Sequence, residues 1–197
     1  LGSDFSIIDC LDRLTQESCD HIRKRAKEKN PFFLYFPLTA PHKPVSPHPR
    51  FQGKSKLGPY GDFVMQVDWT VGQVMKAVDD AGIKDNTLVI YTSDNASFMY
   101  RESDKDKPHH LSDETQQIYY EGDHTANGPW RGTKADVWEG GHRVPFFARW
   151  PKGIKADSVC KETICLVDLF ATASELAKAM LPRPNEAAPD SFSWVPL

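Results

Sequence analysis

Three separate parts of the chain carry side chains that together could bind an anion. They contain His42, the adjacent pair Asp94 and Asn95, and Lys134. A carboxylate beside an amide offers hard oxygen ligands of the kind that Ca²⁺ and Mg²⁺ prefer. A lysine ammonium can pair with an anionic oxygen, and a histidine can hand a proton to a leaving group. The sequence therefore predicts half of a site for an anionic ester.

Each of these signals is weak alone. Ser93-Asp94-Asn95 is typical of a turn or a helix cap. A loop lysine is more often a solvated charge, and a lone histidine is more often structural. Asn95-Ala96-Ser97 is also a glycosylation sequon, and a buried metal ligand could not carry a glycan. The conjunction of the three parts is what favours a site.

A long polar segment, residues 96–143, contains His109, His110 and His124. Segments of this length between regular elements are usually functional or disordered. A zinc site is disfavoured because no HExxH pattern and no cysteine at ligand spacing accompanies these histidines. His124 is a candidate substrate contact.

Hydrophobic periodicity predicts alternating helices and strands, which is typical of an α/β fold. Predicted helices cover residues 15–29, 63–82 and 166–180; predicted strands cover 32–36, 87–92 and 144–150. The apolar run 32–36 is expected to be covered on both faces. In the last helix we expect an inward face of Leu169, Phe170, Ala173, Leu176 and Ala177. Asp94 and Asn95 follow a predicted strand, at the edge where open α/β sheets place ligands.

Size and composition limit the possible functions. The chain has 197 residues, 40% of them hydrophobic, and a formal charge of −3. It is long enough for one domain with a real core, and it lacks the basic field that nucleic acid requires. No apolar run approaches the length of a membrane span. Four sparse cysteines without a CxxC pair favour structural or free thiols, while disulfides stay open.

The order of several motifs resembles the type I sulfatases of the alkaline phosphatase superfamily, from about Pro31 to Leu197. The matching segments are residues 31–35, 40–44, 60–62, 85–87, 92–95, 128–134, 138–145 and 167–169, including Thr92-Ser93-Asp94-Asn95 and Trp138-Glu139-Gly140-Gly141. They are most similar to the branch of arylsulfatase A and N-acetylgalactosamine-6-sulfatase. The resemblance implies the later part of an α/β domain, with helices on a mixed, mostly parallel sheet.

The resemblance also implies roles for the candidate residues. Asp94 and Asn95 would ligate one divalent ion, usually Ca²⁺ with Mg²⁺ as the alternative; Lys134 would pair with a sulfate oxygen. His42 would contact the sulfate or the leaving oxygen. The substrate would be a sulfated small molecule or carbohydrate. Export to the periplasm, the lysosome or the outside of the cell would follow from the family.

Departures from the family pattern leave other functions open. The family's nucleophile is a formylglycine made in a C-x-P-x-R motif, and none of the four cysteines has a proline two positions on. The early aspartate pair that completes the metal shell is also absent. We therefore expect residues 1–197 to be part of a sulfatase catalytic domain, inactive alone, with the nucleophile upstream. The alternatives are a phosphate mono- or diester hydrolase of the same superfamily and a non-catalytic domain that binds sulfated glycans.

Overall fold

A computed structural model describes residues 5–97, 124–180 and 187–197. Two of the histidines considered above, His109 and His110, lie outside these residues. The chain divides into two compact units, Leu1–Gly153 and Ile154–Leu197. All candidate site residues belong to the first unit.

Two long helices form the framework of the first unit: α1, Ile7–Arg25, and α2, Gly58–Asp80. Both predicted helices exist, but each begins before its apolar stripe does. Pro59 lies in the first turn of α2, where a missing backbone N–H costs no hydrogen bond. The hydroxyls of Thr15 and Thr70 lie 3.0 Å apart and join the helices in the interior. The helices therefore pack through apolar stripes that a buried polar contact interrupts.

Two clusters of buried apolar side chains hold this unit together. The first consists of Leu11, Ala40, Val45, Phe63 and Val67, with Leu38, Tyr60 and Tyr91 packed against it. The second consists of Cys19, Ile22, Ala77 and Val78, with Phe32, Leu34, Val74, Ile83 and Val89 packed against it. Fully burying one large apolar side chain contributes roughly 1.5–3 kcal/mol. The clusters attach the segment 32–45 and the first strand to the helices.

The sheet of the described residues has two strands, β1 (Val89–Thr92) and β2 (Phe146–Arg149). They pair in antiparallel register, with Val89 opposite Arg149 and Thr92 opposite Phe146. Both strands were predicted, over somewhat longer ranges. The predicted mostly parallel arrangement is not found in this pair. The direction of pairing depends on the path of the intervening chain, which a strand's own residues do not encode.

The apolar run 32–36 is not a strand among the described residues, so this prediction is wrong. Its side chains alternate: Phe32 and Leu34 pack against the second cluster, whereas Phe33 and Tyr35 are each 73% exposed. A strand requires a neighbour that accepts and donates its backbone hydrogen bonds. Neither β1 nor β2 pairs with this run. The prediction of cover on both faces is also wrong within the described residues, because the face that carries Phe33 and Tyr35 is exposed.

A short helix, α3 (Glu139–His142), leads into β2, and α4 (Leu169–Leu176) lies in the second unit. The last predicted helix thus ends earlier than residue 180. A 3₁₀ turn, Leu166–Asp168, precedes α4.

The predicted inward face of α4 is wrong for three of its five residues. Phe170, Leu176 and Ala177 are exposed, and Leu169 and Ala173 are half-buried, while the buried positions are Asp168, Ala171 and Thr172.

Hydrogen bonds to a buried carboxylate explain this reversal. Asp168 accepts from the backbone N–H groups of Cys165 and Phe192, both at 2.9 Å, and from the indole N–H of Trp194 at 3.2 Å. Desolvation by burial raises the pKa of Asp168, but the three donors outweigh it, and the pKa lies below its usual value. The terminal segment thus packs on the polar side of α4. An apolar periodicity could not reveal that arrangement.

Candidate functional site

A compact turn at the carboxyl end of β1 carries Asp94 and Asn95. The hydroxyl of Ser93 donates to the carbonyl oxygen of Asn95 at 2.8 Å, and Asp94 Oδ1 accepts from the backbone N–H of Asn95 at 3.0 Å. Asp94 is exposed and Asn95 is half-buried. One hydrogen bond uses little of a carboxylate's capacity, which is about four lone-pair positions. The turn therefore presents hard oxygen atoms at the strand end, as predicted.

Glycines shape the loop that carries Lys134. Gly132 has φ = 90°, a conformation that side chains oppose. A Cβ on Gly140 would overlap the carbonyl oxygen of Gly132, and one on Gly141 would overlap that of Asp136. The backbone N–H of Gly140 also donates to Arg131 O at 2.7 Å. The glycines thus let the loop fold back against the first turn of α3.

Two backbone hydrogen bonds join this loop and the adjoining α3 to the segment that follows β1. The N–H of Lys134 donates to Ser97 O at 3.0 Å, and the N–H of Ala96 donates to Gly141 O at 3.1 Å. Since successive Cα atoms are about 3.8 Å apart, the Cα atoms of Asn95 and Lys134 lie within about 15 Å of each other. The structure therefore brings together two segments that lie 39 positions apart in the sequence.

Asn127 strengthens this junction. Its side-chain oxygen accepts from the N–H of Ser97, and its amide nitrogen donates to Ser97 O, both at 2.9 Å. The side chain thus satisfies both backbone groups of one residue, as a neighbouring strand would. Sequence reasoning missed Asn127. The only local signal was the Asn127-Gly128 dipeptide, which is typical of a turn.

Tyr60 connects the junction to the framework. Its hydroxyl lies 3.0 Å from the hydroxyl of Ser97. Burial raises the pKa of Tyr60, and the nearby Tyr91 adds to the shift, although the bond to Ser97 opposes it. Tyr60 therefore stays protonated at neutral pH. The first turn of α2 supports the site, which the sequence analysis did not predict for this residue.

His42 lies in a loop whose flanks are buried. Ala40 and Val45 belong to the cluster against which Tyr91 of β1 packs, so the His42 loop and the strand that leads to Asp94 rest on the same core. His42 itself is exposed, and its Nδ1 lies 2.8 Å from the carbonyl oxygen of Lys43. A carbonyl only accepts, so Nδ1 carries a hydrogen. In the neutral ring Nε2 is then the basic nitrogen.

The remaining histidine candidate has no comparable link. His124 is exposed at the start of the described segment 124–180. No contact given for the described residues ties it to Asp94 or Lys134, so its role stays a prediction.

The oxygen ligands of Asp94 and Asn95 can be compared with what a hard divalent ion requires. They contain no group of three or more His, Cys, Asp and Glu side chains that could hold a metal. Ca²⁺ usually takes 6–8 oxygens. Asp94 and Asn95 fit such an ion in chemistry and can supply only some of its ligands.

Residues 9–179 match the family model named Sulfatase. The chain belongs to the sulfatase family. This confirms the resemblance read from the motifs. Members of the family generally use a divalent metal ion.

Curated relatives agree with this assignment. The chain is 37% identical over 185 residues to the N-acetylgalactosamine-6-O-sulfatase of Bacteroides thetaiotaomicron, covering 93% of this chain and 33% of the relative. It is 35% identical over 193 residues to the human steryl-sulfatase, covering 98% of this chain and 30% of the relative. The chain thus spans about a third of the length of the curated relatives it matches.

Solved structures confirm the α/β fold class. One, from work on the metabolism of multiple glycosaminoglycans by Bacteroides thetaiotaomicron, superposes with a TM-score of 0.75 at 34% identity, over 97% of this chain and 37% of that one. A second, Ps i-CgsB in complex with k-i-k-neocarrahexaose, gives a TM-score of 0.71 at 27% identity, over 94% of this chain and 37% of that one.

Two further expectations concern the membrane and the thiols. Within the described residues, no helix combines the length and apolar character needed to cross a bilayer. Cys10, Cys19, Cys160 and Cys165 are all free thiols.

Proposed function

We propose that the full-length protein hydrolyses sulfate esters and that residues 1–197 form part of its catalytic domain, contributing the anion-binding side of the active site. The observation that carries this proposal is the pair of backbone hydrogen bonds joining the turn of Asp94 and Asn95 to the loop of Lys134. In a chain of the sulfatase family, this junction supports the proposal because it joins the segment that carries the oxygen ligands of Asp94 and Asn95 to the segment that carries the cationic side chain of Lys134.

The proposed roles follow from the chemistry of each side chain. Asp94 and Asn95 hold a divalent ion, Ca²⁺ or Mg²⁺, together with ligands from outside the described residues. When bound, that ion offsets the negative charge of the sulfate oxygens. Lys134 pairs with a sulfate oxygen and stabilises the charge that grows as the sulfur–oxygen bond breaks. The attacking group is assigned to none of these residues.

His42 is suited to the leaving-group side of the reaction. Its Nδ1–H is engaged with Lys43 O, which leaves Nε2 to face a ligand. A protonated Nε2 donates a hydrogen bond to a sulfate oxygen or a proton to the leaving oxygen. His124 is proposed as an additional substrate contact.

Sulfated carbohydrates are the proposed substrate class. The support comes from a relative named for N-acetylgalactosamine 6-O-sulfate and a structural neighbour solved with a carrageenan-type oligosaccharide. The human steryl-sulfatase is also a relative, so a sulfated small molecule is the second candidate. By the family resemblance we also propose a periplasmic, extracellular or lysosomal location.

A single substitution tests the assignment in the full-length protein. We expect Lys134→Ala to lower kcat for 4-nitrophenyl sulfate by about 100-fold or more, which is typical for loss of one electrostatic stabiliser. The matched control is Lys152→Ala, which removes the same charge from an exposed turn and should leave kcat unchanged.

Two outcomes contradict the proposal. Full activity of Lys134→Ala would remove Lys134 from the site. A wild-type protein that cleaves 4-nitrophenyl phosphate and leaves the sulfate intact would assign the site to phosphate esters.

A further inference from the structure

Two tryptophans beside the Lys134 loop are each paired with an arginine. The Arg131 Cζ atom lies 3.8 Å from the centre of the Trp138 ring, and Arg143 Cζ lies 4.1 Å from the centre of the Trp130 ring. At these distances a guanidinium lies over one face of an indole. Yet Trp138 is 47% exposed and Trp130 is 42% exposed. Each ring is therefore contacted by a guanidinium on one face and is partly exposed to solvent.

We call these four residues, Trp130, Arg131, Trp138 and Arg143, the Trp–Arg platform. Its position is fixed by the same backbone that presents Lys134. A Cβ on Gly132 would lie 2.9 Å from the Cβ of Trp138, so the chain passes close to the base of this side chain two residues before Lys134. The platform and the proposed anion site are thus parts of one folded loop.

A third pair of the same kind shows what a structural role looks like. Arg50 Cζ lies 4.2 Å from the centre of the Trp69 ring, but the Arg50 guanidinium also forms two hydrogen bonds to Asp12. That guanidinium is therefore engaged by a carboxylate of α1, although its side chain is 38% exposed. Arg131 is exposed, and Arg143 meets Glu139 at 3.0 Å on the exposed surface. The platform differs because both of its tryptophan rings are exposed, whereas Trp69 is half-buried.

We propose that the Trp–Arg platform binds a second sugar ring of a sulfated glycan, next to the ring whose ester is hydrolysed. An indole is a flat apolar surface on which the C–H face of a pyranose stacks, and aromatic side chains combine such area with little loss of conformational freedom. Arg131 supplies a cation for the sulfate or carboxylate groups of the neighbouring ring. This inference rests on the proposed sulfatase function and names the extended substrate that the same site accepts.

The test compares a long and a short substrate in the full-length protein. We would measure kcat/KM for a 6-sulfated chondroitin tetrasaccharide and for 4-nitrophenyl sulfate, and take their ratio. Trp138→Ala is expected to lower this ratio about tenfold, mainly by raising KM for the tetrasaccharide, as loss of one aromatic contact predicts. Trp138→Phe keeps an aromatic face and should retain most of the wild-type ratio. Trp69→Phe, which alters the framework pair, should leave the ratio unchanged.

The outcomes separate the platform from the proposed function. An unchanged ratio in Trp138→Ala, or equal losses on both substrates, would overturn the platform and leave the sulfatase function standing. Turnover of the aryl sulfate without turnover of any sulfated oligosaccharide would do the same. A wild-type protein inactive on both substrates would overturn the proposed function and the platform with it.

Discussion

The first unit contains two regions that are held together in different ways. Between α1 and α2, side chains bind side chains: Asp12 accepts from Arg50 Nη2 at 2.8 Å and from Gln66 Nε2 at 2.9 Å. At the end of β1, backbone binds backbone: the N–H groups of Lys134 and Ala96 donate to carbonyl oxygens across the junction.

The difference explains where a ligand can bind. In the framework, the charged groups pair with one another. Gln66 is wholly buried, and its side-chain oxygen accepts from the backbone N–H of His48. At the junction, backbone hydrogen bonds and the side chains of Asn127 and Tyr60 carry the structure. Within the described residues Asp94 accepts one local hydrogen bond, so most of its capacity remains for a ligand. Preorganised binding requires a backbone held in place by its own contacts and polar side chains that can still contact a ligand.

The largest expected effect tests the backbone junction. A Cβ at Gly141 would overlap Asp136 O and lie 2.9 Å from Thr133 O, both of which are backbone atoms that cannot rotate away. Gly141→Ala should therefore lower the free energy of unfolding by about 3 kcal/mol, at the upper end of overpacking effects, and abolish turnover. Urea unfolding of the full-length protein and a sulfatase assay measure the two effects.

Gly72 supplies the matched control. It lies inside α2, and a Cβ there would meet nothing within 4 Å. Gly72→Ala should stabilise the protein by about 0.5–1 kcal/mol, because alanine loses less backbone entropy in a helix. A Gly141→Ala protein as stable and active as wild type would show that the junction does not need this close approach.

The next effect tests the framework. Asp12→Ala leaves Arg50 and the buried Gln66 without their acceptor, and we expect a loss of about 2 kcal/mol in the free energy of unfolding. KM for a sulfate ester should stay unchanged, since Asp12 is not in the proposed site. The control is Asp80→Ala, whose partner Lys76 is exposed and whose effect should stay below about 0.5 kcal/mol. A rise in KM with unchanged stability would reverse the assigned roles of the two regions.

The smallest effect tests the link between the regions. Tyr60→Phe removes the hydroxyl that meets Ser97, and the expected cost is about 1 kcal/mol.

This variant should also change the dependence of stability on pH. The folded pKa of Tyr60 is raised by burial, so the unfolded chain ionises first and stability falls as the pH rises above about 10. Without the hydroxyl that fall should be shallower. Equal slopes for the two proteins, measured by urea unfolding between neutral pH and pH 11, would show that burial does not hold this phenol protonated.

The regular elements with strong periodicity were predictable. The stripe from Phe63 to Val78 indicated α2, a run rich in β-branched residues at 87–92 indicated β1, and an apolar, aromatic run at 144–150 indicated β2. The state of the run 32–36 could not be predicted from its own residues, because a strand forms only where a neighbouring strand can pair with it. The face of α4 was predicted wrongly because a buried carboxylate, Asp168, organises it.

For the candidate site, the functional groups could be read from the sequence, whereas the tertiary structure determined which segments lie next to one another. Asp94, Asn95, Lys134 and His42 could be named from motifs, since a hard metal ligand or an anion partner needs a particular functional group. Tyr60 and Asn127 could not, because supporting a junction needs only a hydrogen-bonding group of the right reach. Hydrogen bonds between distant peptide groups depend on the path of the whole chain, and only the fold fixes that path.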